Sequence, residues 1–249
     1  MKRYTPMLAS AWLLALAPLG AQAAPPAAPP AAPPASSPPT AAAAHADGAA
    51  TAQAPLGAAD ATSPDADFNA ARQAIARHDD QGAAAALRRA EAVLARASDH
   101  AGADVRKALD GARAGLEHSA QALDQGTQQS VRELDRGFAR ADHALALAQR
   151  EQAAEAWSRK AYQASGRDLK AAAANLDSAG DWLGGQARSA AHAATRDAQA
   201  VGARLASGGT WARDEVARGF DSLGHGLDAL GHALGVPTQA RPAKLGPQT

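Results

Sequence analysis

From Val131 the chain sets its apolar residues three and four positions apart: Val131, Leu134, Phe138, Ala141, Leu145 and Ala148. That spacing draws one stripe down an α-helix. Ser130 precedes the stripe and Glu133 follows three residues later, the sequence signature of a capping box. The same reading gives a helix from Gly102 to Asp124, with Val105, Leu109, Ala112, Leu116 and Leu123 inward and Gly126 as its stop. Further upstream, "SPDADFNAARQAIARHDDQG" begins with Ser63 and Pro64 before acidic residues, which suits a first turn. It ends between His78 and Gly82, and "AAAALRRAEAVLARASD" follows as a second helix, so the pair predicts an αα-hairpin. The helix that starts at Val131 is expected to continue through Trp157 to Ser178, with a bend near Ser165 and Gly166.

A second pattern lies downstream. "SAGDWLGG" (Ser178 to Gly185) is echoed by "SGGTWARD" (Ser207 to Asp214) at an offset of 29 residues. Asp168, Leu176, Gly180 and Trp182 match Asp197, Leu205, Gly209 and Trp211. The seam Ala187, Ala191, Ala194, Ala198, Val201 and Leu205 corresponds to Val216, Phe220, Leu223, Leu227, Leu230 and Leu234. The repeat predicts a corner at each copy. Gly180 and Gly208–Gly209 end a helix, Asp181 and Thr210 cap the next, and the tryptophan lands in the new first turn, its indole N–H on a freed carbonyl.

No proline occurs between Asp65 and Val236, and no run alternates with the period of a strand. The expected fold class is all-α: an elongated multi-helix bundle or set of helical hairpins behind a disordered Pro/Ala-rich tether. The expected organisation is a signal peptide over 1–23, a linker over 24–63, an N-terminal helical segment with the hairpin over 64–126, long amphipathic helices with the repeat over 127–236, and a disordered tail over 237–249. The leader reading rests on Lys2 and Arg3, a short apolar run from Met7 to Leu19, and a small-residue cleavage site ending at Ala23. It implies a periplasmic or secreted protein. Proline pairs at 25–26, 29–30, 33–34 and 38–39 give the tether its polyproline character.

Ile75, Asp79, Ala83, Leu87, Ala90 and Leu94 resemble one hairpin of a tetratricopeptide repeat, with no second unit to make a solenoid. The tandem amphipathic helices between Ala153 and Gly235 resemble, at the level of pattern, apolipoprotein-like and late-embryogenesis-type helical repeats. They resemble more closely the uncharacterised secreted alanine-rich helical proteins of proteobacteria. No residue-level role follows from these resemblances.

Charge and composition then narrow the function. With the leader removed, 23 basic side chains face 25 acidic ones, which speaks against a nucleic-acid binder. There is no cysteine, hence no disulfide and no thiolate metal site. Asp221, His225, Asp228 and His232 fall near one helical face, but they read as a solvated polar stripe rather than a zinc site. Gly231 and Gly235 give small-x-x-x-small spacing, read as close packing or a hinge. No phosphate loop or nucleophile elbow occurs, so no catalytic, cofactor or metal residue is assigned. The residues expected to matter are Trp157, Trp182 and Trp211, with the α-helical stripe Val216, Phe220, Leu223, Leu227, Leu230 and Leu234. Alanine seams bury little apolar area, so a protein partner or a homo-oligomer is expected to add stability. The reading is a non-enzymatic exported protein working through helix–helix contacts, as a structural, scaffolding or stress-protective component. The alternative is a membrane-surface or lipid-binding protein using the C-terminal helices.

Overall fold

The structure is a computed structural model, and it describes residues 63–236. The leader, the tether and the tail lie outside the described residues. Seven helices, and no strand among the described residues, make an all-α bundle: α1 (Asp65–Ala76), α2 (Asp80–Ser98), α3 (Ala103–Asp124), α4 (Val131–Ser158), α5 (Tyr162–Leu183), α6 (Gly185–Ala206) and α7 (Arg213–Leu234). Consecutive helices pack on one another, and α4 also touches α1, α2 and α7.

Helix α4 is the spine because two of its faces are apolar. Leu134, Phe138, Ala141, Leu145 and Ala148 join α1, α2 and α3 in one core with Phe68, Leu87, Leu94, Leu109 and Leu116. Ala139, Ala146, Ala153 and Trp157 join α5, α6 and α7 in a second core with Leu169, Leu176, Val201, Phe220 and Leu227. Trp182 is half-buried and packs against both.

The starts follow the local chemistry. The Ser130 hydroxyl accepts from the Glu133 N–H at 3.2 Å, and Glu133 Oε2 accepts from the Ser130 N–H at 3.2 Å, closing the capping box. Asp79 Oδ1 accepts from the Gly82 N–H at 2.8 Å, so α2 begins at Asp80, earlier than its alanine run. The first turn of α3 follows Gly102, whose N–H donates to Glu151 Oε2 of α4 at 3.1 Å.

Several stops differ from expectation. Helix α4 does not run on to Ser178. It ends at Ser158, and Lys160 reverses the chain with φ of +60°. Ser165 and Gly166 lie inside α5 and mark no bend; a Cβ on Gly166 would strike the backbone nitrogen of Ala206, so this glycine serves close contact with α6. Gly180 does not end a helix either. A Cβ there would stand 2.6 Å from that of Ala191, and α5 runs past it to Leu183 before Gly184 and Gly185 turn the chain with φ of +69° and +53°. Asp181 is therefore no N-cap, and Trp182 occupies the last turn of α5 rather than the first turn of the next helix. At the second copy Gly208 does turn with φ of +73°, but the cap of α7 is Ala212, not Thr210, and Trp211 precedes that cap. A glycine in an alanine-rich sequence can mean a stop or a close approach, and only the neighbouring helix decides which.

Candidate functional site

The two matching tryptophans sit at opposite ends of α5, about 30 Å of helix apart. Trp182 meets the edges of Phe68 and Phe138, which stack with centroids 4.3 Å apart, and Arg72 lies over its indole at 5.5 Å. Its Nε1–H donates to Asp142 Oδ2 at 2.9 Å, a carboxylate rather than a freed carbonyl. Trp211 packs with Trp157 and Tyr162, all three centroid distances being between 4.9 and 5.0 Å, beside the turns before α5 and α7. Trp157 is buried and Trp211 half-buried.

The stripe on α7 is its inner face. Val216, Phe220, Leu223 and Leu227 are fully buried, with Leu230 and Leu234 nearly so. A lipid surface would have to open α7 to reach it. Among the described residues no helix is long and apolar enough to cross a membrane, and no group of three or more histidines and carboxylates gathers at metal-binding range. His225 and His232 are exposed. Gly235 terminates α7 in the left-handed conformation, with φ of +67°.

A set of buried polar groups was not visible in the apolar pattern. His143 Nε2 donates to the Leu227 carbonyl at 2.9 Å, and Arg150 Nε donates to the Phe220 carbonyl at 3.3 Å. The donors are seven residues apart on α4 and the acceptors seven apart on α7 in the opposite sense, so the helices run antiparallel in fixed register. Burial keeps His143 below the usual histidine range, and it lowers the Arg150 guanidinium against the pull of Asp221 and Asp228. On α5, Asp177 accepts from His192, Thr195 and Gln199 of α6, at 2.9, 2.7 and 2.6 Å. These groups lock helices together.

A cleft of about 360 Å³ opens between α3 and α4. Gly111 and Gly115 of α3 and Gly137 of α4 line it, with His118, Arg136 and Arg140. A Cβ added at any of these three glycines meets nothing within 4 Å. That separates them from Gly166, Gly180, Gly202, Gly219 and Gly226, where a Cβ would collide with a neighbouring helix. Glycine inside a helix costs about 1 kcal/mol relative to alanine. At the second group close packing requires it. At the first group nothing within the bundle does. Val131, which the spacing placed on the apolar stripe of α4, is instead exposed, in the first turn where the helix has not yet met α3; its neighbours Gln129 and Glu133 line the cleft. The signal was present in the sequence: Gly111 and Gly115 have the same spacing as Gly231 and Gly235.

The rim is cationic. Arg140 Nη2 donates to the Leu234 carbonyl at 3.4 Å, while Glu133 is committed to its capping box, which holds its carboxyl below the usual range. Helix α3 carries four carboxylates, Asp104, Asp110, Glu117 and Asp124, against Arg106, Lys107 and Arg113. Of these, Glu117 and Asp124 pair with Arg88 of α2, Arg113 pairs with Glu91, and Arg106 donates to the Ser98 and Ala101 carbonyls. The chain matches no family model, and no curated protein or solved structure matches it.

Proposed function

We propose that this is an exported, non-enzymatic helical protein that acts by helix–helix association, and that its α3–α4 cleft receives α3 of a second copy. The observation that carries the reading is the set of three glycines, Gly111, Gly115 and Gly137, which bare backbone into one open cleft. Small residues let helix backbones approach closely, and that contact would offset their cost. Helix α3 of a second copy suits the cleft because it bares the same two glycines, Gly111 and Gly115, on its own open face. A scaffold or stress-protective role fits a module that associates in this way.

Sedimentation equilibrium of the full chain tests it. The expected result is a reversible dimer that Gly115→Leu converts to monomer without loss of helical circular dichroism. A wild-type monomer at all concentrations, or a Gly115→Leu dimer of equal affinity, overturns the reading.

A further inference from the structure

Gly224 of α7 belongs to neither class of helical glycine. A Cβ there would stand 3.0 Å from Arg150 Nη2 and 3.6 Å from its Nε, so its three nearest atoms would all belong to one guanidinium of α4. Arg150 is buried, and its Nε donates to the carbonyl of Phe220, four residues before Gly224. In an α-helix each Cα–Cβ bond tilts toward the N-terminus, so a side chain covers the turn before it. Glycine at 224 leaves the Phe220 carbonyl uncovered toward α4. Asp221 and Asp228, three residues before Gly224 and four after it, lend Arg150 opposite charge.

The arrangement recurs seven residues on. The Leu227 carbonyl accepts from His143 Nε2 at 2.9 Å, and buried Gly231 stands four residues past it. Another seven on, the Leu234 carbonyl accepts from Arg140 at 3.4 Å. A slip of one residue would turn α7 by about 100° and take its carbonyls from their donors together. Gly219 and Gly226 differ: a Cβ on them would strike Val201 and Ala194 of α6 at 2.7 and 2.5 Å. The four interior glycines leave α7 little helical preference of its own, so its helix depends on docking.

We infer that Gly224 and Gly231 are windows through which α4 grips the backbone of α7, and that this grip makes α7 a strap that docks and releases as one unit. Gly208 and Gly209, in the turn before α7, supply the pivot. Release bares Val216, Phe220, Leu223 and Leu227 in one event, with Leu176 and Val201 beneath them. Helix α7 is thus the gate to the second core.

The test is residue-resolved hydrogen exchange of the full chain in a double-mutant cycle. Gly224→Ala is expected to speed exchange of the slow α7 amides by at least about fivefold, all by one factor, and to leave α2 and α3 unchanged. Combined with Arg150→Met, the same substitution is expected to slow α7 exchange about fivefold, because the helix preference of alanine then acts alone. Gly226→Ala, which strikes Ala194, is expected to speed exchange in both backgrounds. Gly231→Ala with His143→Leu repeats the cycle and decides the matter if Arg150→Met does not fold. An effect of the same sign in both backgrounds overturns the windows. Exchange that advances residue by residue from Leu234, or rises equally in α5 and α6, overturns the strap.

Discussion

The indole N–H of Trp182 donates to Asp142 across 2.9 Å, joining the last turn of α5 to the middle of the spine helix. The bond explains why an indole is needed there and why a buried acid is tolerated. Trp182→Phe keeps an aromatic ring against Phe68 and Phe138 and removes the donor. Leaving a buried polar atom unsatisfied costs about 1–3 kcal/mol. The unfolding free energy from urea titration is expected to fall by that amount, seen as a lower midpoint with little change in slope. An unchanged midpoint would mean the bond contributes nothing.

Stability is expected to decline as pH rises through mild acid. Burial lifts the Asp168 carboxyl to about 6, with Arg167 and Arg159 opposing. Unfolded, such a group ionises near 3.9. Between about pH 4 and 6 the folded chain therefore holds a proton that the unfolded chain has released, and the advantage is gone above that window. Asp142 and Asp135 are raised in the same sense. The capping acids Glu133 and Glu215 are lowered, so they withdraw stability only at more acidic pH. Urea titrations from about pH 4.5 to 7.5 should show the decline. Asp168→Asn should flatten part of it.

Helical glycines should divide into two classes. Gly111→Ala and Gly115→Ala introduce a Cβ into open space, and each is expected to raise the stability of the isolated chain by about 1 kcal/mol. Gly166→Ala and Gly180→Ala push a Cβ into α6 and are expected to cost about 1–3 kcal/mol. Thermal melts at low protein concentration separate the classes. Equal effects at all four positions would remove the distinction on which the cleft argument rests.

Lys160 holds φ of +60° between α4 and α5. A left-handed conformation costs a non-glycine residue about 1–2 kcal/mol. Lys160→Gly is expected to stabilise the fold by up to about 1 kcal/mol, less the extra backbone entropy of glycine in the unfolded chain. Ser130→Ala, by contrast, is expected to cost about 1 kcal/mol by opening the capping box at the start of α4.

The apolar spacing carried much of this fold in the sequence. The stripe from Leu134 to Ala148, the inward face of α3 and the Ser130–Glu133 box all follow from local periodicity and hydrogen-bonding chemistry. Lys160 was illegible because a lysine carries no mark of a reversed φ. Gly180 misled because its role depends on Ala191, a residue in another helix. Asp142 could not be read either, since its burial and its bond from Trp182 depend on helices that pack against α4 from elsewhere in the chain. The cleft was half legible: Gly111 and Gly115 show in the sequence, but Gly137 joins them only through the packing of α4 beside α3.

The central claim is that α3 meets α3 of another copy, and the cysteine-free chain allows a direct measurement. Ala114→Cys places one thiol on the exposed ridge between Gly111 and Gly115. A disulfide forms only where two Cα atoms come within about 7 Å. Mild oxidation is predicted to give a covalent dimer in high yield, while Ala190→Cys, exposed on α6, stays monomeric. Failure of Ala114→Cys to cross-link, or equal cross-linking at both positions, would contradict the account.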